Sequence, residues 1–451
     1  TDLQSREAHE SEDRFAELRR LCRTTGDKVS LAIGMSGPAT ALLFAGRVRE
    51  ASHLSSEQMA LLASIDDPTP LMGLASVAFC NWLGVLHFDE ILRWSQDVVD
   101  LADGDPTKGA SYGIGSPLAV ALGWRGTARW CLRLSGWRDD LHSAVEMARH
   151  SNTETLSGTI AWTYGIAMQY GVLQADDGIR AAAEEAVGIA RSASNDRALG
   201  LAGYTLAVAL LSQDDEADRP RGLELMAEVR ELWSRRGIFF LIPITDMWLA
   251  RETARHGDRD AAVGAMRQAT VELHRGYPFY GVWADVVLAE TLLERRAEGD
   301  LLEAGAAVDR VSQLANEKDS AMVEIALLRI RALSARAKED TSSLSKLVTR
   351  YLDRAESLGF EGHIDSARSI LRDIRLAPVP DYSASPEASP ALELSPGRDE
   401  SSSDGPTSDD EASSDESASE ETALGISSVD GAALPSDASP SDKSESSLTE
   451  T

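Results

Sequence analysis

LARETARHGDRDAAVGAMRQATVEL, residues 249–273, is the stretch on which the fold turns. Two Ala-rich runs flecked with charge meet at a short elbow, His256-Gly257-Asp258. In the second run Ala262, Ala265, Met266, Ala269 and Leu273 recur at helical spacing and predict one apolar stripe. Trp248, Leu249 and Ala254 of the preceding run are expected to face it, and the small residues let the two helices approach closely. Gly257 supplies the backbone freedom that ends the first helix, and Asp258 can cap the second. The stretch reads as a helical hairpin.

The same punctuation returns along the chain: at Ala45-Gly46, Gly84, Gly136, Asp176 to Gly178, Asp214 to Gly222, Gly257, Gly299 and Glu339-Asp340. The beat is about 40 residues, the signature of a helical-hairpin solenoid. One hairpin cannot bury both of its faces, so each must stack on the next. The expected fold is all-α: a tetratricopeptide-like, curved array of about eight hairpins over residues 1–376. Strand patterning is absent from the body, and the dense apolar run at 238–250 is expected to lead into a helix after Pro243. The longest interval, Gly84 to Gly136, holds a Gly/Pro-rich insert, DLADGDPTKGASYGIGSP; long loops in such arrays are often functional.

The net charge is −29, from 44 Lys and Arg against 73 Asp and Glu. It is unevenly spread: residues 381–451 carry 18 acidic and 2 basic side chains, with 20 Ser and 6 Pro. Such a segment cannot bury enough apolar surface to offset chain entropy, so 377–451 is expected to be a disordered, solubilising Ser/Asp/Glu-rich tail. Its serines in acidic surroundings are also candidate phosphate acceptors. Neither part has the basic footprint that nucleic-acid binding needs. There is no signal-peptide pattern and no apolar run of membrane-spanning length, so the expected location is cytoplasmic, without membrane contact. The chain opens on Thr1 in charged, helix-like sequence, as a fragment or a processed piece would. Cys22, Cys80 and Cys131 are isolated, which argues against a disulfide frame or a zinc site and for small buried residues in a reducing compartment.

No motif for chemistry emerges. GDPTKG at 104–109 lacks the Gly-Lys-Ser/Thr order of a phosphate loop, and YGIG at 112–115 follows no strand. The eight histidines form no HExxH and no paired ligand spacing, and no GxSxG elbow is present. No metal, cofactor or catalytic residue is assigned. Candidate ligand-binding residues come from the aromatic cluster after the insert. Trp124 and Trp137, with Arg125, Arg129 and Arg138 at the rim, could line a groove for a small anionic ligand or a peptide; inter-repeat packing accounts for the same tryptophans. The aromatic turn GYPFYGVW at 276–283 reads as a structural cap.

Residues 97–149, DVVDLADGDPTKGASYGIGSPLAVALGWRGTARWCLRLSGWRDDLHSAVEMAR, together with DDEADRPRGLELMAEVRE (214–231), WLARETARHGDRDAAVGAMRQA (248–269) and DRAESLGFEGHIDSA (353–367), carry a likeness. They resemble the C-terminal tetratricopeptide-like region of bacterial multidomain class III adenylate/guanylate cyclases, in which a cyclase domain and an AAA-type signal-transduction ATPase precede the solenoid. The likeness spans about residues 50 to 372. It implies a regulatory or sensor arm whose partners are ATPase and cyclase domains. The family's metal-binding aspartates and phosphate loop have no counterpart here, and the acidic tail departs from the pattern. By itself this chain is therefore expected not to be an enzyme but to bind a protein, peptide or small effector on its concave face. Two other readings stay open: the sensor arm of an ATPase-type transcription activator, and a free-standing interaction scaffold.

Overall fold

The computed structural model describes residues 15–376 except 23, 114, 214 and 215, with the side chains of 375 and 376 also outside the description. The tail expected over 377–451 lies outside the described residues. The chain divides into two units, Thr1–Val379 and Pro380–Thr451, and the described residues belong to the first.

The described residues are all-α, with no strand among them. Eighteen α-helices run α1 (Lys28–Phe44), α2 (Val48–Ala63), α3 (Thr69–Gly84), α4 (Phe88–Ala102), α5 (Pro117–Cys131), α6 (Trp137–Arg149), α7 (Thr153–Ile160), α8 (Ile166–Gln169), α9 (Asp177–Ser192), α10 (Asp196–Ser212), α11 (Arg219–Arg235), α12 (Ile242–Arg255), α13 (Arg259–Gly276), α14 (Pro278–Arg295), α15 (Asp300–Glu317), α16 (Ala321–Ala337), α17 (Thr341–Leu358) and α18 (Glu361–Leu376). A π-helical turn, Ala161–Gly165, joins α7 to α8 without a break. Pairing inner with outer helices gives eight hairpins, from α1–α2 to α16–α17, and α18 follows as a ninth inner helix. The eight elbows read in the sequence fall inside these eight hairpins.

The hairpin α12–α13 behaves largely as read. Gly257 adopts φ +102°, and the Asp258 carboxylate accepts from the Ala261 N–H at 3.1 Å. The stripe on α13 is Ala262, Val263, Met266, Ala269, Thr270 and Leu273. Ala265, expected in it, is exposed, and Val263 takes its place on the buried face. Pro243 sits in the first turn of α12, where its missing N–H leaves no hydrogen bond unmade.

The contacts between distant hairpins have no local signature. Donors at the start of an inner helix reach carbonyls at the end of the inner helix five hairpins earlier. The Tyr277 hydroxyl donates to the Cys80 carbonyl at 2.6 Å, and the Ser320 hydroxyl to the Cys131 carbonyl at 3.1 Å. The Glu361 and His363 N–H groups donate to the Val172 and Gly171 carbonyls at 3.1 and 3.2 Å. Aromatic rings fill the same seam: Phe44 stacks on Phe240 at 6.0 Å, and Phe279 packs edge-on to Phe88 at 6.3 Å. One superhelical turn thus takes five hairpins, and successive turns touch. The inner helices are buried on nearly all sides in consequence, which gives one large core and a smaller cluster of Ala332, Ala335, Leu344, Val348 and Ile370 toward the C-terminal end.

Candidate functional site

The inner ends of α8, α10, α12, α14, α16 and α18 surround a cavity of about 1260 Å³. Apolar inner helices make most of its wall, and each contributes a polar exception. Seven arginines and three carboxylates line it, an excess of positive charge inside a chain whose net charge is −29. Trp248 and Trp283 meet at 5.3 Å between ring centroids on its floor.

Most of the lining charges are already partnered. Arg329 on α16 is ion-paired with Glu290 on α14, and its Nη1 donates to Ser366 Oγ at 3.3 Å. Burial opposes charge on Arg329, but Glu290 beside it prevails and its pKa is raised. Arg336 lies 3.5 Å from Asp373, and Arg259 3.8 Å from Glu294. Arg251 is different. Its guanidinium lies 5.2 Å from the Trp248 ring centroid, and among the described residues it makes no hydrogen bond or close ion pair. Desolvation pulls its pKa down to about 10, against the attraction of Glu290. A half-buried guanidinium over an indole, with no anion in close contact, leaves its charge uncompensated by a near partner.

His363 lines the same cavity at the contact between superhelical turns. Its Nδ1 is 2.6 Å from the Tyr351 hydroxyl. Burial, reinforced by the charge on Arg329, holds the imidazole neutral with a pKa lowered to about 3, so the pair shares a hydrogen bond between two uncharged groups.

The five residues nominated from sequence do not share a groove. Trp124 lines a second, smaller cavity and stacks on Trp162 at 5.4 Å. Arg125 and Arg129 turn the other way: Arg125 grips Asp140 through Nε (2.9 Å) and Nη2 (2.6 Å), and Arg129 Nη1 adds a third contact at 2.7 Å. That clamp pins α6 to α5 and leaves neither arginine available as a rim. Trp137 is buried edge-on against Phe360 at 6.2 Å, and Arg138 stacks over its ring at 4.4 Å. Arg138 then reaches Glu361 and the Gly359 carbonyl, so the pair fastens one superhelical turn to the next. The cause is rotation: neighbours in sequence stand about 100° apart on a helix, so Trp124 and Arg125 cannot face one space. Arg251, Trp248 and Trp283 were missed. Their signal was weak: Arg251, Glu290 and Arg329 recur on three successive inner helices, but each of those helices carries other charged residues as well.

No protein-family model matches the chain, and neither does any curated protein sequence. Among solved structures the chain is similar to a Rap protein complexed with competence and sporulation factor, at 16% identity over 77% of this chain and 97% of that one, TM-score 0.45. It is also similar to the apo form of the quorum sensor NprR from B. thuringiensis, at 12% identity over 76% and 98%, TM-score 0.38. A third is yeast Tom70, at 12% identity over 82% and 97%, TM-score 0.33.

Proposed function

We propose that this chain is a non-catalytic docking and sensing solenoid whose large cavity receives an acidic peptide segment. The observation that carries this is Arg251, unpaired, desolvated and seated over Trp248. A cavity of about 1260 Å³ exceeds the usual span of small-molecule sites, about 300–1,000 Å³, and suits several linked residues. The surplus of arginine selects for carboxylates, and bidentate guanidinium pairing gives them direction.

The cavity wall joins the end of the first superhelical turn, at Gly171 and Gln174, to the second, at Gly362 and His363. A ligand there touches parts of the chain five hairpins apart. If it binds one spacing of the turns better than another, it shifts the population between them and carries a signal to whatever is attached. The sequence resemblance supports an ATPase and a nucleotide cyclase as the attached domains. The sensor arm of an ATPase-type transcription activator and a free-standing scaffold are the alternatives, and the coding sequence around this segment separates the three.

The binding test is fluorescence anisotropy with labelled Asp/Glu-rich and neutral peptides, at two salt concentrations, on wild type and Arg251→Gln. The expected result is saturable binding of the acidic peptide, weakened about tenfold or more by the substitution. Equal binding of both peptides, or an unchanged affinity in the variant, would sink the proposal.

A further inference from the structure

The smaller cavity, about 310 Å³, shares no lining residue with the larger one. Its walls come from α1, α3, α5, α7 and the π-helical turn after it, the start of α10, the end of α11 and the link into α12. The Gly/Pro-rich insert closes one side: Tyr112 and Gly113 line it, and Tyr112 lies so close to Gly73 that a Cβ at Gly73 would sit 2.5 Å from the tyrosine Cβ.

Three observations distinguish this cavity from a packing defect. First, Trp162 lies in the π-helical turn Ala161–Gly165, and Thr127 Oγ1 donates to its carbonyl at 3.0 Å. A π-turn weakens the helix that carries it and is concentrated at functional sites, where it re-aims a side chain. Here Trp162 is only half-buried and lies over Trp124, with ring planes 29° apart. Second, the wall is aromatic on two sides, since Phe44 and Phe240 form a further stack at 12°. Third, the lining has one cation and one anion, Arg197 and Glu154, both exposed in the first turns of neighbouring inner helices. No ion pair joins them: Glu154 Oε1 accepts from Asn195 Nδ2 at 3.3 Å, and the Arg197 guanidinium has no hydrogen-bond or ion-pair partner among the described residues.

A planar ring needs the tryptophan faces, and a small ligand needs a cavity at the lower end of the usual range. One positive and one negative group, unpaired with each other, complement a ligand that carries both charges. We propose that this chamber binds a free aromatic amino acid. Its ring lies against Trp162, its carboxylate pairs with Arg197 and its ammonium with Glu154. The site is separate from the peptide cavity, so this reading stands whether or not an acidic peptide binds there.

The test is isothermal titration of the full chain with L-tryptophan, L-tyrosine and L-phenylalanine, beside indole, indole-3-acetate and tryptamine, which lack both charges or one. Saturable binding of at least one amino acid is expected, with each analogue about tenfold weaker or more. Arg197→Gln and Glu154→Gln should each weaken the amino acid about tenfold and leave thermal unfolding unchanged, since both side chains are exposed. Arg251→Gln, in the other cavity, should leave it untouched. Absence of saturable heat for all three amino acids with a folded protein overturns the proposal. So does indole binding as tightly as tryptophan, or both rim variants binding as wild type does.

Discussion

Helices α13 and α14 are neighbours, each 18 residues long, yet they live in different surroundings. The outer helix α13 buries six residues in one stripe and gives most of the rest to solvent. The inner helix α14 buries 13, from Phe279 to Leu293, around nearly its whole girth. An amphipathic stripe is what one neighbour demands. A helix apolar all round has neighbours on every side, and here the extra neighbour is the superhelical turn five hairpins away. The outer layer therefore carries the repeat, and the inner layer carries the closure of the array on itself.

If closure rests on the inner layer, its aromatic seam should be the most sensitive place in the molecule. Phe279, on the second turn of the superhelix, is fully buried between Phe88 and Tyr170, both on the first. Phe279→Ala should cost about 4 kcal/mol in chemical denaturation, with a cavity left between turns. A loss no larger than that from an outer-stripe truncation would break the comparison.

The outer layer has exceptions to its tolerance, among them Asp140 on α6, buried beneath two arginines. Asp140→Ala leaves both guanidiniums without their carboxylate and should cost about 3 kcal/mol, readable as a lowered denaturation midpoint. An effect near zero would mean that solvent reaches the clamp freely.

The third prediction concerns pH and the seam. His363 is neutral in the folded protein, with a pKa near 3, and titrates near 6.5 once unfolded. The unfolded chain therefore binds the extra proton between these values. The contribution of His363 to stability is whole above about pH 6.5 and falls as the pH drops toward 3, at up to about 1.4 kcal/mol per pH unit. Comparing wild type with His363→Gln from pH 7 to 5 isolates this from the carboxylates, and the variant should show the shallower slope. Parallel curves would mean that the imidazole does not stay neutral in the fold.

The smallest effects sharpen the comparison most directly, because they make one change on two faces. Gly264 on α13 has nothing within 4 Å of an added Cβ, so Gly264→Ala should raise stability by about 0.5–1 kcal/mol. Gly281 on α14 would place its Cβ 2.7 Å from His274 Nδ1, whose ring is held by Asp285 at 2.9 Å. Gly281→Ala should lower stability by about 1 kcal/mol or more. Thermal unfolding midpoints moving in the same direction would show that the two helices are not as unlike as their burial says.

By itself the sequence determined the helical hairpin and its repetition, because glycine at an elbow, an acidic cap and an apolar spacing act within a few residues of one another. The largely apolar girth of segments such as 278–295, interrupted by Asp285, Glu290, Glu294 and Arg295, marks burial on several sides without saying what does the covering. Tertiary structure decided what that covering is, how many hairpins make a turn, and which side chains share a space. Trp124 and Arg125 are adjacent in the chain and separated in the fold. Arg251, Arg329 and His363 are far apart in the chain and line one cavity. Local patterns fix the unit. The site forms from residues on successive turns, and their meeting depends on a superhelical pitch that no single repeat encodes.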